Sequence, residues 1–195
     1  MSLDQSLDTL RADLLATVLE HGYRRLPEPV ELASGQMNQD FVDGKVALAR
    51  GADLAAACRA MVALAEARDI DFDSAGGLTM GADQFAHGIA LVADRRWFVV
   101  RKEPKDRGTR RRVEGDPIGP GTRVLLVEDV ISTGGSLLKA LDAVAETGAE
   151  VVFATTLVDR GDLAAPKLAA RKVPYEAVLT YRDLGIEPIT GEGPT

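Results

Sequence analysis

The chain reads as an α/β protein with a mostly parallel central sheet flanked by helices and a small N-terminal cap. Three observations predict this class. From residue 51 to residue 179, short apolar runs of strand length alternate with longer segments whose apolar positions recur at three and four. The run from Val124 to Val127 is continuously apolar, as a strand covered on both faces requires. With 195 residues, 46% of them hydrophobic, the chain can bury one sizeable core. We therefore expect a single domain over 1–195, within which 1–48 forms an N-terminal helix and a small cap.

Each element has its own local reason. Leu3, Leu7, Leu10, Leu14 and Val18 step by four, three, four and four, which predicts an amphipathic helix over about 3–21 that ends near His21-Gly22. Residues 26–48 are punctuated by Pro27, Pro29, Ser34-Gly35 and Asp43-Gly44, so they should form short extended pieces in a hairpin-like cap. Regular alternation follows: a helix at 51–68, a strand at 72–76, a helix at 82–93 and a strand at 97–101. It continues with a strand at 123–128, a helix at 135–147, a strand at 150–158, a helix at 162–171 and a strand at 175–179. Right-handed crossovers place the loops after the strands at 72–76, 97–101, 123–128 and 150–158 on one edge of the sheet, where ligands of such folds bind. The tail 187–195, with its Pro and Gly, should be loosely held.

Composition narrows the function classes. A net charge of −7 argues against a general binder of nucleic acid or anionic membranes. No apolar run approaches the ~20 residues of a membrane span, and Asp4 and Asp8 stand where a targeting leader would be basic. The cytoplasm is the expected compartment. Cys58 is the only cysteine, so no intrachain disulfide can form, and its place on a helix's apolar pattern fits a buried structural thiol. His21 at a helix end and His87 within a helix lack metal-ligand companions at useful spacing, and we read both as structural. Trp97, opening a strand, reads as packing.

The most informative segment runs from Arg123 to Ser136. After the apolar strand, polarity returns abruptly at Glu128 and Asp129, where the chain is expected to leave the sheet. Gly134 and Gly135 let backbone N–H groups approach a ligand, and Ser132, Thr133 and Ser136 add hydroxyl donors. The helix that follows would aim its positive end at the same place, which suits a phosphate. The two carboxylates cannot bind phosphate. They can accept hydrogen bonds from vicinal ribose hydroxyls, or sit behind the water shell of Mg²⁺. The spacing is neither the P-loop pattern, since no Lys follows the glycines, nor G-x-G-x-x-G.

Other stretches should meet this one at the sheet edge. Gly76, Gly77 and Gly81 mark a glycine-rich turn between strand and helix. Residues 101–112 carry seven basic and two acidic side chains in an otherwise acidic protein, without apolar periodicity; a mobile cationic loop of this kind can close over a polyphosphate leaving group. Asp159-Arg160 follows a strand, and Arg160 could hold a planar carboxylate through two N–H bonds. Phe41 could stack on a planar ring or simply pack a hairpin.

At the 123–136 segment the chain resembles the type I phosphoribosyltransferases, whose hallmark is an apolar strand, two acidic residues and a Thr/Gly-rich loop that holds phosphoribosyl pyrophosphate (PRPP). The basic loop looks like that of the orotate phosphoribosyltransferases, where Arg-Lys-x-x-Lys-x-His-Gly is usual; here Arg107 replaces the His. An Arg keeps the charge but cannot donate a proton near neutral pH. Ala33 stands where a Lys often precedes Ser-Gly, and Thr79-Met80 where several orotate enzymes have Tyr-Lys.

The resemblance implies a type I phosphoribosyltransferase fold and transfer of ribose 5-phosphate from PRPP to orotate, with Mg²⁺ bound mainly through PRPP, giving orotidine 5′-phosphate for pyrimidine synthesis. It assigns PRPP binding to Arg101, Lys102, Lys105, Arg107, Glu128, Asp129, Ser132, Thr133, Gly134, Gly135 and Ser136. Lys105 and Asp129 would be catalytic, and Phe41, Ser132 and Arg160 would bind the base. Glu128 and Asp129 could also stand behind the waters of Mg²⁺. It further implies a homodimer in which the 101–115 loop reaches the neighbouring subunit. The alternatives are the same transfer to another nucleobase, or a PRPP-binding regulatory protein without catalysis.

Overall fold

A computed structural model describes residues 5–31, 35, 37–103 and 112–191. Lys105, Arg107, Ala33, Ser34, most of the basic loop and the last residues of the tail lie outside them. The elements are α1 (Leu7–Thr17), β1 (Tyr23–Glu31), β2 (Met37–Val42), α2 (Gly44–Ala47), α3 (Gly51–Glu66), β3 (Ser74–Leu78), α4 (Asp83–Ala93) and β4 (Arg96–Val100). Then follow β5 (Val113–Gly115), β6 (Arg123–Ile131), α5 (Gly135–Ala145), β7 (Glu150–Asp159), α6 (Ala164–Ala170) and β8 (Tyr175–Thr180).

Six strands form one sheet in the order β5-β4-β3-β6-β7-β8, parallel except for β5, which runs antiparallel to β4. The α/β expectation holds. Along β6 the side chains alternate between two cores. Leu125 and Val127 join the apolar residues of α1, α3 and α4, including Leu14, Met61 and Phe85. Val124 and Leu126 join those of α5 and α6, including Leu137, Val144 and Leu168. Helices thus cover both faces, which is why this strand reads as continuously apolar.

The chain steps outward from β3 to β4 in one direction and from β6 through β7 to β8 in the other. The direction of winding therefore reverses between β3 and β6, and the crevice beyond their carboxyl ends is where such sheets bind ligands. β1 and β2 form a separate antiparallel hairpin with Tyr23 opposite Val42 and Arg25 opposite Asp40. The cap expected within 26–48 begins slightly earlier, at Tyr23.

Four boundaries differ from the sequence expectation. Gly76 and Gly77 lie inside β3 rather than in a turn: a β-carbon on Gly76 would stand 2.2 Å from the Phe98 carbonyl oxygen, and one on Gly77 2.1 Å from that of Val127. They are glycines because the neighbouring strands leave no room, and the turn begins at Thr79. β6 does not end at Glu128; its pairing with β7 runs to Ile131 opposite Asp159, so both carboxylates sit on the sheet. Val113–Gly115 forms a short edge strand, too brief to show a period, and Arg101 N–H donates to the Arg112 carbonyl at 2.8 Å. The basic segment therefore connects two strands of a hairpin. Finally, α1 is capped by Ser6, whose hydroxyl accepts from Thr9 N–H, and it leaves regular helical geometry at Val18 in one wider turn that ends at Gly22.

Candidate functional site

The end of β6 builds the floor of the site. Glu128 and Asp129 are both buried, at 4% and 9% exposure, although neither lies in an apolar core. Glu128 Oε1 accepts from Asp129 N–H at 3.1 Å, and Asp129 Oδ1 accepts from Val130 N–H at 2.6 Å. Thr156 Oγ1 reaches across from β7 to the carbonyls of both residues, holding the strand end in place. Burial, reinforced by the adjacent Asp129 charge, pushes the Glu128 carboxyl well above the usual carboxylate range.

Two neighbours of this pair come from elsewhere in the chain. Gly81, in the turn after β3, lies directly over it: a β-carbon there would be 2.1 Å from Glu128 Oε1 and 2.9 Å from Asp129 Oδ1. Lys45, on α2, donates from Nζ to Asp129 Oδ2 at 2.8 Å. Asp43 caps α2 by accepting from the N–H groups of Lys45 and Val46, and Gly44 seats the helix against Asp129 and Val130. Lys45 is the residue that sequence reasoning missed. Asp43-Gly44 looked like turn punctuation, and nothing local ties residue 45 to residue 129.

Ser132 to Gly135 continue from β6 into α5. Gly134 has φ +77°, and a β-carbon on it would touch Ala164, so the left-handed bend needs a glycine. Among the described residues no side chain caps α5, which leaves its first N–H groups facing the loop as donors. Lys167 Nζ donates to the Thr133 carbonyl at 3.3 Å and braces the loop from behind.

A cleft of about 770 Å³ joins these parts, lined by Lys45, Thr79, Gly81, Glu128, Asp129 and Ser136, and by Arg101 and Lys102 where the basic segment leaves β4. The structure thus brings Arg101, Lys102, the acid pair and the start of α5 to one opening. Thr79 Oγ1 is bonded to Asp83 at 2.7 Å, and Met80 beside it is exposed. Among the described residues no cluster of three or more His, Cys, Asp or Glu could hold a metal by itself. A hydrated Mg²⁺ fits this donor set differently, since it keeps several waters and needs only one or two carboxylates beside a ligand's phosphates.

Arg160 lies at the end of β7 with 2% exposure. Its backbone joins two neighbours, its N–H donating to the Ile131 carbonyl at 2.8 Å and its carbonyl accepting from Ile189 N–H at 2.7 Å. Its Nε and one terminal nitrogen are buried without a hydrogen-bond partner among the described residues. Burial lowers the guanidinium's pKa, partly offset by Asp40 and Tyr23. Asp40, itself buried, accepts from the Tyr23 hydroxyl at 2.8 Å and from Arg25 at 3.1 Å. Phe41 alternates with Asp40 along β2, and so stands on the other face of the hairpin, opposite Arg24.

The remaining candidates have packing partners. His87 meets Trp97 edge-on, with ring centroids 4.4 Å apart. Cys58 is buried against α4, and burial pushes its thiol up to about 12. No helix among the described residues is long and apolar enough to cross a membrane.

Residues 76–178 match the phosphoribosyl transferase domain family. The orotate phosphoribosyltransferase of Streptomyces avermitilis is 50% identical over 125 residues, covering 61% of this chain and 68% of that protein. That of Corynebacterium glutamicum is 42% identical over 163 residues, covering 80% and 85%. A crystal structure of Mycobacterium tuberculosis orotate phosphoribosyltransferase with PRPP superposes with a TM-score of 0.74 at 37% identity, covering 91% of this chain and 99% of that one.

Proposed function

We propose that this chain, which belongs to the phosphoribosyl transferase family, transfers ribose 5-phosphate from PRPP to orotate and so serves pyrimidine synthesis. The observation that carries the reading is the meeting, at the sheet's winding reversal, of a buried acid pair, an uncapped helix start and the cationic root of a long loop.

Each part takes one portion of the donor. Ser132, Thr133, Gly134, Gly135 and Ser136, with the first N–H groups of α5, hold the 5-phosphate. Glu128 and Asp129 accept hydrogen bonds from the ribose hydroxyls, and the Asp129 carboxylate stabilises the positive charge that develops at the anomeric carbon. Arg101 and Lys102, with Lys105 and Arg107 further along the loop, balance the charge of the departing pyrophosphate. The bond from the anomeric carbon to a pyrophosphate oxygen breaks, a bond from that carbon to the base nitrogen forms, and the proton which that nitrogen carried leaves to the pyrophosphate or to water. No covalent intermediate is needed; fixing both reactants in line lowers the barrier. Mg²⁺, bound mainly through PRPP with Glu128 and Asp129 behind its waters, would supply further charge compensation to the leaving group.

Arg160 is the reason for choosing orotate. A buried guanidinium with unpartnered N–H groups calls for a planar anion, and the carboxylate of orotate supplies one. Ser132 joins Arg160 in the proposed base-binding set, and Phe41, on the hairpin face away from Asp40, would have to meet the base from that other side. We further infer a cytoplasmic homodimer whose 101–115 loop closes over the neighbouring subunit's donor, and a single domain in which 1–48 is the hood. Incubating the protein with PRPP, Mg²⁺ and a panel of bases, followed by detection of nucleotides, tests the reading. Orotidine 5′-phosphate is the expected product; a different nucleotide would move the assignment to another base, and no nucleotide with any base would leave a PRPP-binding regulator.

A further inference from the structure

Lys45 is not in the set assigned above, yet it touches the floor of the cleft. It is carried by the hood rather than by the sheet, and its side chain is 49% exposed. The one hydrogen bond of its ammonium among the described residues goes to Asp129 Oδ2. Asp129 Oδ1 accepts from Val130 N–H and lies under Gly81, so Oδ2 is the more open oxygen for a ribose hydroxyl. The ammonium and the sugar therefore compete for one atom. When the sugar takes it, a lysine on a flexible stem has to find another anion. The turn that faces it, Thr79 to Gly81, supplies no cation: the Thr79 hydroxyl is bonded to Asp83, and Met80 carries no charge. Beyond that turn the same cleft opens toward Arg101 and Lys102.

We propose that Lys45 is a further donor-binding residue, which neutralises Asp129 when no donor is bound and turns its ammonium to the pyrophosphate when the ribose hydroxyls take that carboxylate. The hood thereby contributes a cation to the leaving-group end of the site, on the side where the Thr79–Gly81 turn has none. The exchange keeps the charge of the acid pair balanced at both stages, first by a lysine and then by the donor with its divalent cation. This inference rests on the assignment of Glu128 and Asp129 to the ribose.

The test is calorimetric titration of wild type, Lys45→Met and Lys45→Arg with three probes: PRPP with Mg²⁺, inorganic pyrophosphate with Mg²⁺, and ribose 5-phosphate. Lys45→Met should weaken PRPP and pyrophosphate about tenfold or more, the usual cost of losing one charged hydrogen bond, while ribose 5-phosphate binds as well as before or more tightly. Lys45→Arg should restore most of the affinity for PRPP. Thermal melting confirms that each variant is folded. Undiminished binding of PRPP by folded Lys45→Met overturns the proposal, as does an equal loss for ribose 5-phosphate and pyrophosphate, which would mean that Lys45 only props Asp129. If wild type itself fails to bind PRPP, the assigned function falls and this inference with it.

Discussion

Gly81 and Glu128 belong to different strand ends, yet a β-carbon on the glycine would stand 2.1 Å from the carboxylate's Oε1. The turn after β3 thus lies on the acid pair with no space for a side chain. Any larger residue at 81 must displace Glu128, because the nearest atoms belong to carboxylates whose other contacts hold them to the strand. Gly81→Ala should leave the fold recognisable by circular dichroism but weaken PRPP binding about tenfold or more, as the acid pair loses its geometry. Equal affinity in the variant would show that the pair is not held by this contact.

The buried Glu128 predicts how stability depends on pH. Its folded pKa, near 8, lies above the ordinary value of 4.5, so between these limits the unfolded chain gives up a proton that the native state retains. Stability from this group is therefore complete below pH 4.5 and declines as the pH rises to about 8. Glu128→Gln keeps an oxygen to accept the Asp129 N–H but cannot ionise. In ligand-free protein, its melting temperature should gain on that of wild type from pH 5 to pH 8, and a constant difference would contradict the raised pKa.

Arg160 allows substrate binding and stability to be separated. Two of its guanidinium nitrogens have no partner among the described residues, and Asp40 keeps Tyr23 and Arg25 if Arg160 is removed. Arg160→Met should therefore cost little stability, about 1 kcal/mol or less, because it removes a buried and incompletely paired charge. The KM for orotate should rise about tenfold or more while PRPP affinity stays near that of wild type. Steady-state kinetics with each substrate varied decides this; an unchanged KM for orotate would remove Arg160 from the base site.

The role proposed for the basic loop is to balance the charge of the departing pyrophosphate. Lys105→Ala should lower kcat by about a hundredfold without altering the melting temperature, in line with the loss of one donor to a developing negative charge. Unchanged turnover would remove this lysine from the mechanism.

Gly76 and Gly77 test the architecture rather than the chemistry. Each faces a strand carbonyl that cannot move without breaking the sheet, so Gly77→Ala should destabilise the protein by about 3 kcal/mol, measured by urea unfolding. A loss below about 0.5 kcal/mol would mean that the sheet yields more readily than its packing implies.

Much was legible in the sequence because periodicity and composition are local properties. The alternation from residue 51 to residue 179, the two-faced burial of Val124 to Val127 and the joining of Glu128 and Asp129 to a glycine-rich helix start can all be read along the chain. The comparisons with the Streptomyces and Corynebacterium enzymes agree with the family that this segment resembles. What tertiary structure alone decided are relationships that span the sequence. Gly76 and Gly77 belong to a strand because Phe98 and Val127 press on them, and the strand carrying the acid pair continues to Ile131 because β7 pairs with it that far. Lys45 reaches Asp129, 84 residues away, because α2 packs against the end of β6. Backbone preferences and hydrophobic spacing act between near neighbours and leave their mark in the order of residues. Charge pairing and steric exclusion act across space, and only the packed sheet brings their partners within reach.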